Sequence, residues 1–314
     1  MAKTGVDFIS ENNMARVFNN FYDREYAFNE PIKFCHISPT KYLRHFVHTN
    51  GAHLLLAHLV ENDIDYRDFY ANLPDDKYRI LDNSAFEMFK QGREMYDSSK
   101  LIEMGKLCKA DCIVMSDYPK EPAEKTINKA KELIPQFKDA GFQTFFVPQS
   151  RVGQLDEYLD CFEWALNNEE IDVIGVSILG CPIALNVEET TYYEGNKSDS
   201  YKMQRFLSRW EVMRQLDQRE LLDGKAIKRF HFLGMTDGPK EISLMRDYGY
   251  DQFIHTWDSS AAIWAGLHNI SFDSSPTGLK SGKFEKEVDF SFDNGDTFNS
   301  IVSYNIDYIN TLVK

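Results

Sequence analysis

Short apolar runs recur along the chain, and longer amphipathic stretches separate most of them. Runs this short and this continuous predict strands buried on both faces. They fall at 33–37, 53–59, 78–83, 112–117, 144–149, 173–178, 229–234 and 252–257. Between them, apolar residues at helical spacing predict helices. Leu101, Ile102, Met104, Leu107 and Cys108 mark one over 97–110, and Ile127, Ala130, Leu133, Ile134 and Phe137 mark another from Pro122 to Gly141. Proline at the start and glycine at the end is the usual asymmetry of a helix. Further helices are predicted over 155–166, 205–222 and 241–248.

Eight buried strands, mostly separated by helices, predict an α/β protein with a parallel sheet. The count favours a closed (β/α)8 TIM barrel over an open doubly wound sheet. The first two connections lack a clear helical pattern. Residues 1–30 read as a polar, aromatic-rich leader packed on the barrel, with a helix around 13–22. The remainder, 31–314, reads as a single barrel domain that includes a C-terminal extension over 268–314. A polar insertion at 186–200 interrupts it. After the last strand come a helix at 261–267, a basic loop at 274–283, a strand at 288–292 before an Asp293-Asn294-Gly295 turn, and an amphipathic closing helix on Phe298, Val302, Ile306, Ile309 and Val313.

Composition narrows the class. Apolar residues make up 43% of the chain and aromatics 14%, values of a folded globular protein. The net charge of −14 repels nucleic acid and anionic membranes as a whole, so binding to a polyanion requires a local basic patch. No apolar run approaches the length of a membrane span, and the first residues lack the apolar core of a signal peptide. Five cysteines without framework spacing predict reduced thiols in a cytoplasmic compartment. Phosphate loops, zincin motifs and the serine nucleophile elbow are absent from the sequence.

The strand ends carry the candidate chemistry. In a barrel they meet at one mouth. Here they read Asp82, Asp117, Gln149, then Val176 and Ser177, then Leu233 and Gly234, then Asp258. Any one of these is an ordinary cap or turn residue. Asp, Asp, Gln and Asp at four ends of one mouth are harder to explain by stability. Asp117 and Gln149 suit the donor edge and carbonyl of a guanine-like base, with Phe86 stacking on one face and Leu233 or Met235 on the other. Asp82 and Asp258 suit glycosyl transfer, one as proton carrier and one as nucleophile.

At these residues the sequence resembles the tRNA-guanine transglycosylase superfamily, and most the compact 7-deazaguanine DNA transglycosylases of bacteriophages and genomic islands. Leu81-Asp82-Asn83-Ser84-Ala85-Phe86-Glu87 resembles the segment that carries the family's general acid/base and stacking aromatic. Ile113–Asp117 and Val147-Pro148-Gln149-Ser150 resemble its base-reading strands. Gly175-Val176-Ser177-Ile178 resembles its backbone-donor strand, Phe232-Leu233-Gly234-Met235 the strand covering the other ring face, and Phe253–Asp258 the nucleophile strand. The resemblance implies exchange of guanine for a 7-deazaguanine such as preQ0, through a covalent bond to Asp258, with no cofactor. The sequence departs from the family in Asn83-Ser84-Ala85, where relatives carry glycines. No cysteine follows Cys181, so the zinc site of the tRNA enzymes is missing from the sequence. That favours DNA over tRNA as the polymer. Lys280, Lys283 and Lys286, with Arg205, Arg209 and Arg214, are the candidate phosphate contacts. The alternatives are a tRNA-acting enzyme, a non-catalytic deazapurine-binding barrel, or a hydrolase of a nucleoside or small glycoside. A homodimer is compatible with all of them.

Overall fold

The computed structural model describes residues 30–187, 199–222, 228–235, 238–280, 287–295 and 299–314. The predicted leader, most of the 186–200 insertion, Lys283, Lys286 and Phe298 lie outside the described residues. Eight parallel strands form one sheet in the order β1-β8-β7-β6-β5-β4-β3-β2. They are β1 (Lys33–His36), β2 (Ala52–Leu56), β3 (Tyr78–Asp82), β4 (Cys112–Val114), β5 (Gln143–Phe146), β6 (Val173–Ser177), β7 (Arg229–Leu233) and β8 (Ile254–Ser259). β1 and β2 lie side by side without a ladder between them, so the barrel is nearly closed. This is a single-domain (β/α)8 TIM barrel.

Helices wrap the strands in chain order: α1 (Leu43–Phe46), α2 (Ala57–Asn62), α3 (Ile64–Ala71), α4 (Ala85–Gln91), α5 (Ser98–Cys108), α6 (Ala123–Asp139), α7 (Leu155–Asn167), α8 (Gly180–Ala184), α9 (Asp199–Gln218), α10 (Glu241–Asp247), α11 (Ala261–Leu267) and α12 (Ser300–Leu312). The first two connections do contain helices. The predicted strand at 53–59 stops at Leu56 and turns into α2, because an apolar run of this length does not distinguish a buried strand from a buried helix. The strand expected at 288–292 is a turn instead. The Asp289 carboxylate captures the Ser291 N–H at 3.0 Å, and Phe292 N–H closes on Asp289 O at 3.1 Å.

Strand alternation sorts the side chains into two cores. Cys35, Leu54, Ile80, Val114, Phe145 and Val173 fill the barrel. Phe34, Leu55, Leu81, Ile113, Phe146, Ile174 and Trp257 pack outward against the helices. The same alternation aims Asp82 and Asp258 inward, two residues beyond Ile80 and Thr256. Gly175 belongs to the interior, where a Cβ would stand 2.6 Å from the Phe145 ring and 2.9 Å from Leu233. Arg79, on the outward face with Leu81, ties down the connection between α3 and β3. Its guanidinium donates to the carbonyls of Tyr70, Leu73, Pro74 and Lys77 at 2.7–3.2 Å, satisfying one group in the last turn of α3 and three in the loop that follows.

The C-terminal extension is built into the domain. Asn299 caps α12, and Asn305 on that helix donates to Ala262 O at 3.1 Å and Ile270 O at 3.0 Å. Its segment 287–295 is tied to the loop after β1, through Thr40 N–H on Phe290 O at 3.1 Å, Lys41–Asp293 at 3.3 Å, and Tyr42 against Asn294. Among the described residues, no helix is long and apolar enough to cross a membrane.

Candidate active site

The C-terminal ends of the strands surround a cavity of about 810 Å³. Asp82, Asp117, Gln149, Ser177, Leu233, Gly234, Met235 and Asp258 all line it, as does Phe86. The extension adds Phe272, Leu279, Val288 and Phe290, a wall that no strand-end motif signals.

Asp258 sits in β8 with 4% exposure. One oxygen, Oδ1, lies 2.9 Å from His231 Nε2 and accepts the Gly234 N–H at 2.9 Å. Oδ2 has no hydrogen-bond partner among the described residues. Gly234 makes this contact with φ at 72°, and a Cβ there would meet the Ile178 side chain at 2.7 Å. Glycine is the residue that fits. His231 escaped the sequence reading. It is the lone ionisable residue in the run Phe230-His231-Phe232, on the strand next to β8, and that is the available signal.

Asp82 ends β3, half-buried, with Oδ2 accepting the Ser84 N–H at 2.8 Å. Burial, reinforced by the nearby charge of Glu87 and then by Asp117 and Asp258, pushes its carboxyl well above the usual range. Ser84 turns the chain with φ at 55°, a conformation that favours glycine. Its Oγ compensates by accepting the His58 N–H at 3.2 Å and meeting His58 Nδ1 at 3.0 Å.

Asp117 and Gln149 meet each other. Gln149 Nε2 donates to Asp117 Oδ2 at 2.6 Å, and Asn83 Nδ2 donates to Oδ1 at 3.0 Å. Burial raises the Asp117 carboxyl to about 6, and those two amides hold it from going higher. Gln149 Oε1 is buried with no partner among the described residues. With Nε2 spent on Asp117 and Oε1 buried, Gln149 serves Asp117 rather than the carbonyl of a base, and the pair presents the Asp117 carboxylate to the cavity.

Other predicted contacts fall differently. Phe86 is 48% exposed on the cavity rim. Ser177 lines the cavity, but its Oγ is occupied by the N–H groups of Leu179 at 3.0 Å and Gly180 at 3.3 Å. The Val176 side chain points outward into the helix layer and does not reach the cavity.

Arg209 is not a phosphate contact. It is 0% exposed, with its guanidinium 4.8 Å from both the Phe232 and Trp257 rings. It pairs with Glu241 at 2.6 Å and 2.7 Å, and donates to Val176 O, Leu233 O and Gly234 O at 3.0–3.2 Å. All five N–H groups are satisfied, so the side chain fixes the ends of β6 and β7 from behind. Arg214 is likewise buried, against Glu211 at 2.6 Å. Arg205 lies half-buried over the Tyr201 ring at 5.6 Å. Lys280 is exposed. Neither a protein-family model nor a curated protein matches the chain.

Proposed function

We propose that this chain is a transglycosylase that exchanges guanine in DNA for a 7-deazaguanine base such as preQ0. One observation carries the reading: a single cavity is lined by Asp258, Asp82, Asp117 and Gln149, at four strand ends. Its volume is in the range of small-ligand sites, roughly 300–1,000 Å³, and admits a nucleotide flipped out of the stack. The Asp117 carboxylate supplies acceptors for guanine's N1–H and exocyclic amine, and Gln149 holds that carboxylate in place. Phe86 and Leu233 cover the ring faces.

In this reading Asp258 Oδ2 attacks C1′ of the flipped deoxyguanosine. The C1′–N9 bond breaks, its electrons go to N9, and Asp82 delivers its proton to the departing base. The raised carboxyl of Asp82 suits a proton donor. The incoming 7-deazaguanine then returns a proton from N9 to Asp82. Its N9 bonds to C1′, the C1′–Oδ2 bond breaks, and two inversions restore the β-glycoside. The choice of DNA rests on the sequence resemblance and on the missing zinc cysteines.

The test is a trapped adduct. Protein quenched in denaturant during exchange should carry DNA covalently attached at Asp258, and Asp258→Asn should not. Wild-type exchange without any adduct at Asp258 would overturn the mechanism.

A further inference from the structure

The reaction above gives no task to His231, although its buried imidazole touches the nucleophile. Its Nε2 stands 2.9 Å from Asp258 Oδ1 and its Nδ1 2.7 Å from Thr256 Oγ1. The residue has no exposed surface, and Phe145 packs edge-on against the ring at 5.3 Å. The hydrogens in this chain can be counted. An ionised Asp258 offers acceptors alone, so Nε2 carries a hydrogen. A second hydrogen on Nδ1 would point at Thr256 Oγ1 and leave the threonine's own O–H without an acceptor. Among the described residues, that hydroxyl has no other partner. With Nδ1 bare, Thr256 donates to Nδ1, Nε2 donates to Asp258, and every hydrogen is used. The network therefore assigns the neutral Nε2–H tautomer.

His231 and the Gly234 N–H both act on the same oxygen, Oδ1. We infer that His231 is a positioning residue that leaves Oδ2 to attack and holds Oδ1 as the atom where charge returns. The inference rests on the transglycosylase reading. During attack the Oδ2–C1′ bond forms and C1′–N9 breaks, so Oδ1 becomes the carbonyl oxygen of a glycosyl ester, a weaker acceptor. When the incoming base takes C1′, the electron pair of the C1′–Oδ2 bond returns to the carboxylate. Oδ1 then regains its charge against two donors already in place. The His231 hydrogen bond favours free carboxylate over ester. It limits the fraction of enzyme resting as the covalent intermediate and speeds the intermediate's release.

Two variants separate this role from packing. His231→Leu fills similar space without a donor, and His231→Gln supplies an amide N–H. His231→Leu should lower kcat roughly ten- to a hundred-fold, the effect of one hydrogen bond to a charged group. It should also raise the trapped adduct fraction, with the Kd for free guanine unchanged. His231→Gln should recover much of kcat and reduce the adduct. Long-range 15N NMR of the wild-type protein should show a buried Nε2–H imidazole whose resonance moves in Asp258→Asn, a readout that needs neither exchange nor a His231 variant. A folded His231→Leu protein with wild-type kcat and adduct fraction would overturn the inference, as would an Nδ1–H or doubly protonated ring. Exchange at the wild-type rate by Asp258→Ala would instead overturn the transglycosylase reading itself, and the NMR signal would still report the contact.

Discussion

At the scale of single residues, the site is a set of carboxylates given different jobs by their neighbours. Asp258 is held by donors at one oxygen, Asp82 is pushed up by burial and by surrounding negative charge, and Asp117 is tied to two amides. Replacing Asp258 by Asn should lower exchange by at least roughly a thousand-fold, because the nucleophile is lost rather than weakened. Labelled-guanine incorporation measures it. Asp117 yields a pH prediction. Burial raises its carboxyl to about 6, and in the proposed reaction it reads the base as the anion. kcat/KM should therefore fall about tenfold between pH 7 and pH 5, since the ionised fraction falls by that factor. The same shift has a stability sign. The raised value means that the folded state prefers the protonated group, so this contribution is fully present below the unfolded value near 3.9 and is lost as pH rises through about 6. A pH profile of kcat/KM that stays flat from 5 to 7 would contradict the assignment of Asp117 as the base reader.

At the scale of elements, what decides the site is how each strand hands over to its loop. The turn after β3 needs a left-handed residue and uses Ser84, with His58 accepting the consequences through two contacts to Oγ. Ser84→Ala keeps the strained φ and strands the His58 N–H, so it should cost about 1–2 kcal/mol in thermal or denaturant unfolding. Ser84→Gly relieves the turn and should cost less. The β6 and β7 ends depend on the Arg209–Glu241 pair. Arg209→Ala removes both ion-pair hydrogen bonds from a buried carboxylate and should destabilise the fold by roughly 3–5 kcal/mol. Periodicity made the strands, the major helices and the inward-facing aspartates legible. It could not reveal Arg209, because an arginine at a helical position reads as solvent-facing until a buried glutamate from another helix is known to meet it. Nor could it show α2, where an apolar run changes from strand to helix at Leu56, or the Asp289 turn, where one side chain outweighs a β-rich stretch. His231 was visible as a residue type but not as a partner, since the contact needs the β7–β8 pairing.

At the scale of the whole molecule, the proposed reaction would have a barrel with net charge −14 bring a polyanion to its mouth against its own field. Any DNA affinity then rests on a few local cations. Lys280, exposed on the extension, is one described candidate. Lys280→Ala should weaken DNA binding modestly and reduce the salt slope by about one counterion, with base exchange otherwise intact. Titration of binding against salt checks it. The extension also closes one side of the cavity with Val288 and Phe290, so barrel and extension make one site. The account stands or falls on what that site does to DNA. Duplex and single-stranded DNA incubated with the protein and preQ0, then digested to nucleosides and read by mass spectrometry, should yield 7-cyano-7-deazadeoxyguanosine together with an equal amount of released guanine, and neither with Asp258→Asn. DNA that keeps all its deoxyguanosine, or product formed equally well by Asp258→Asn, would contradict it.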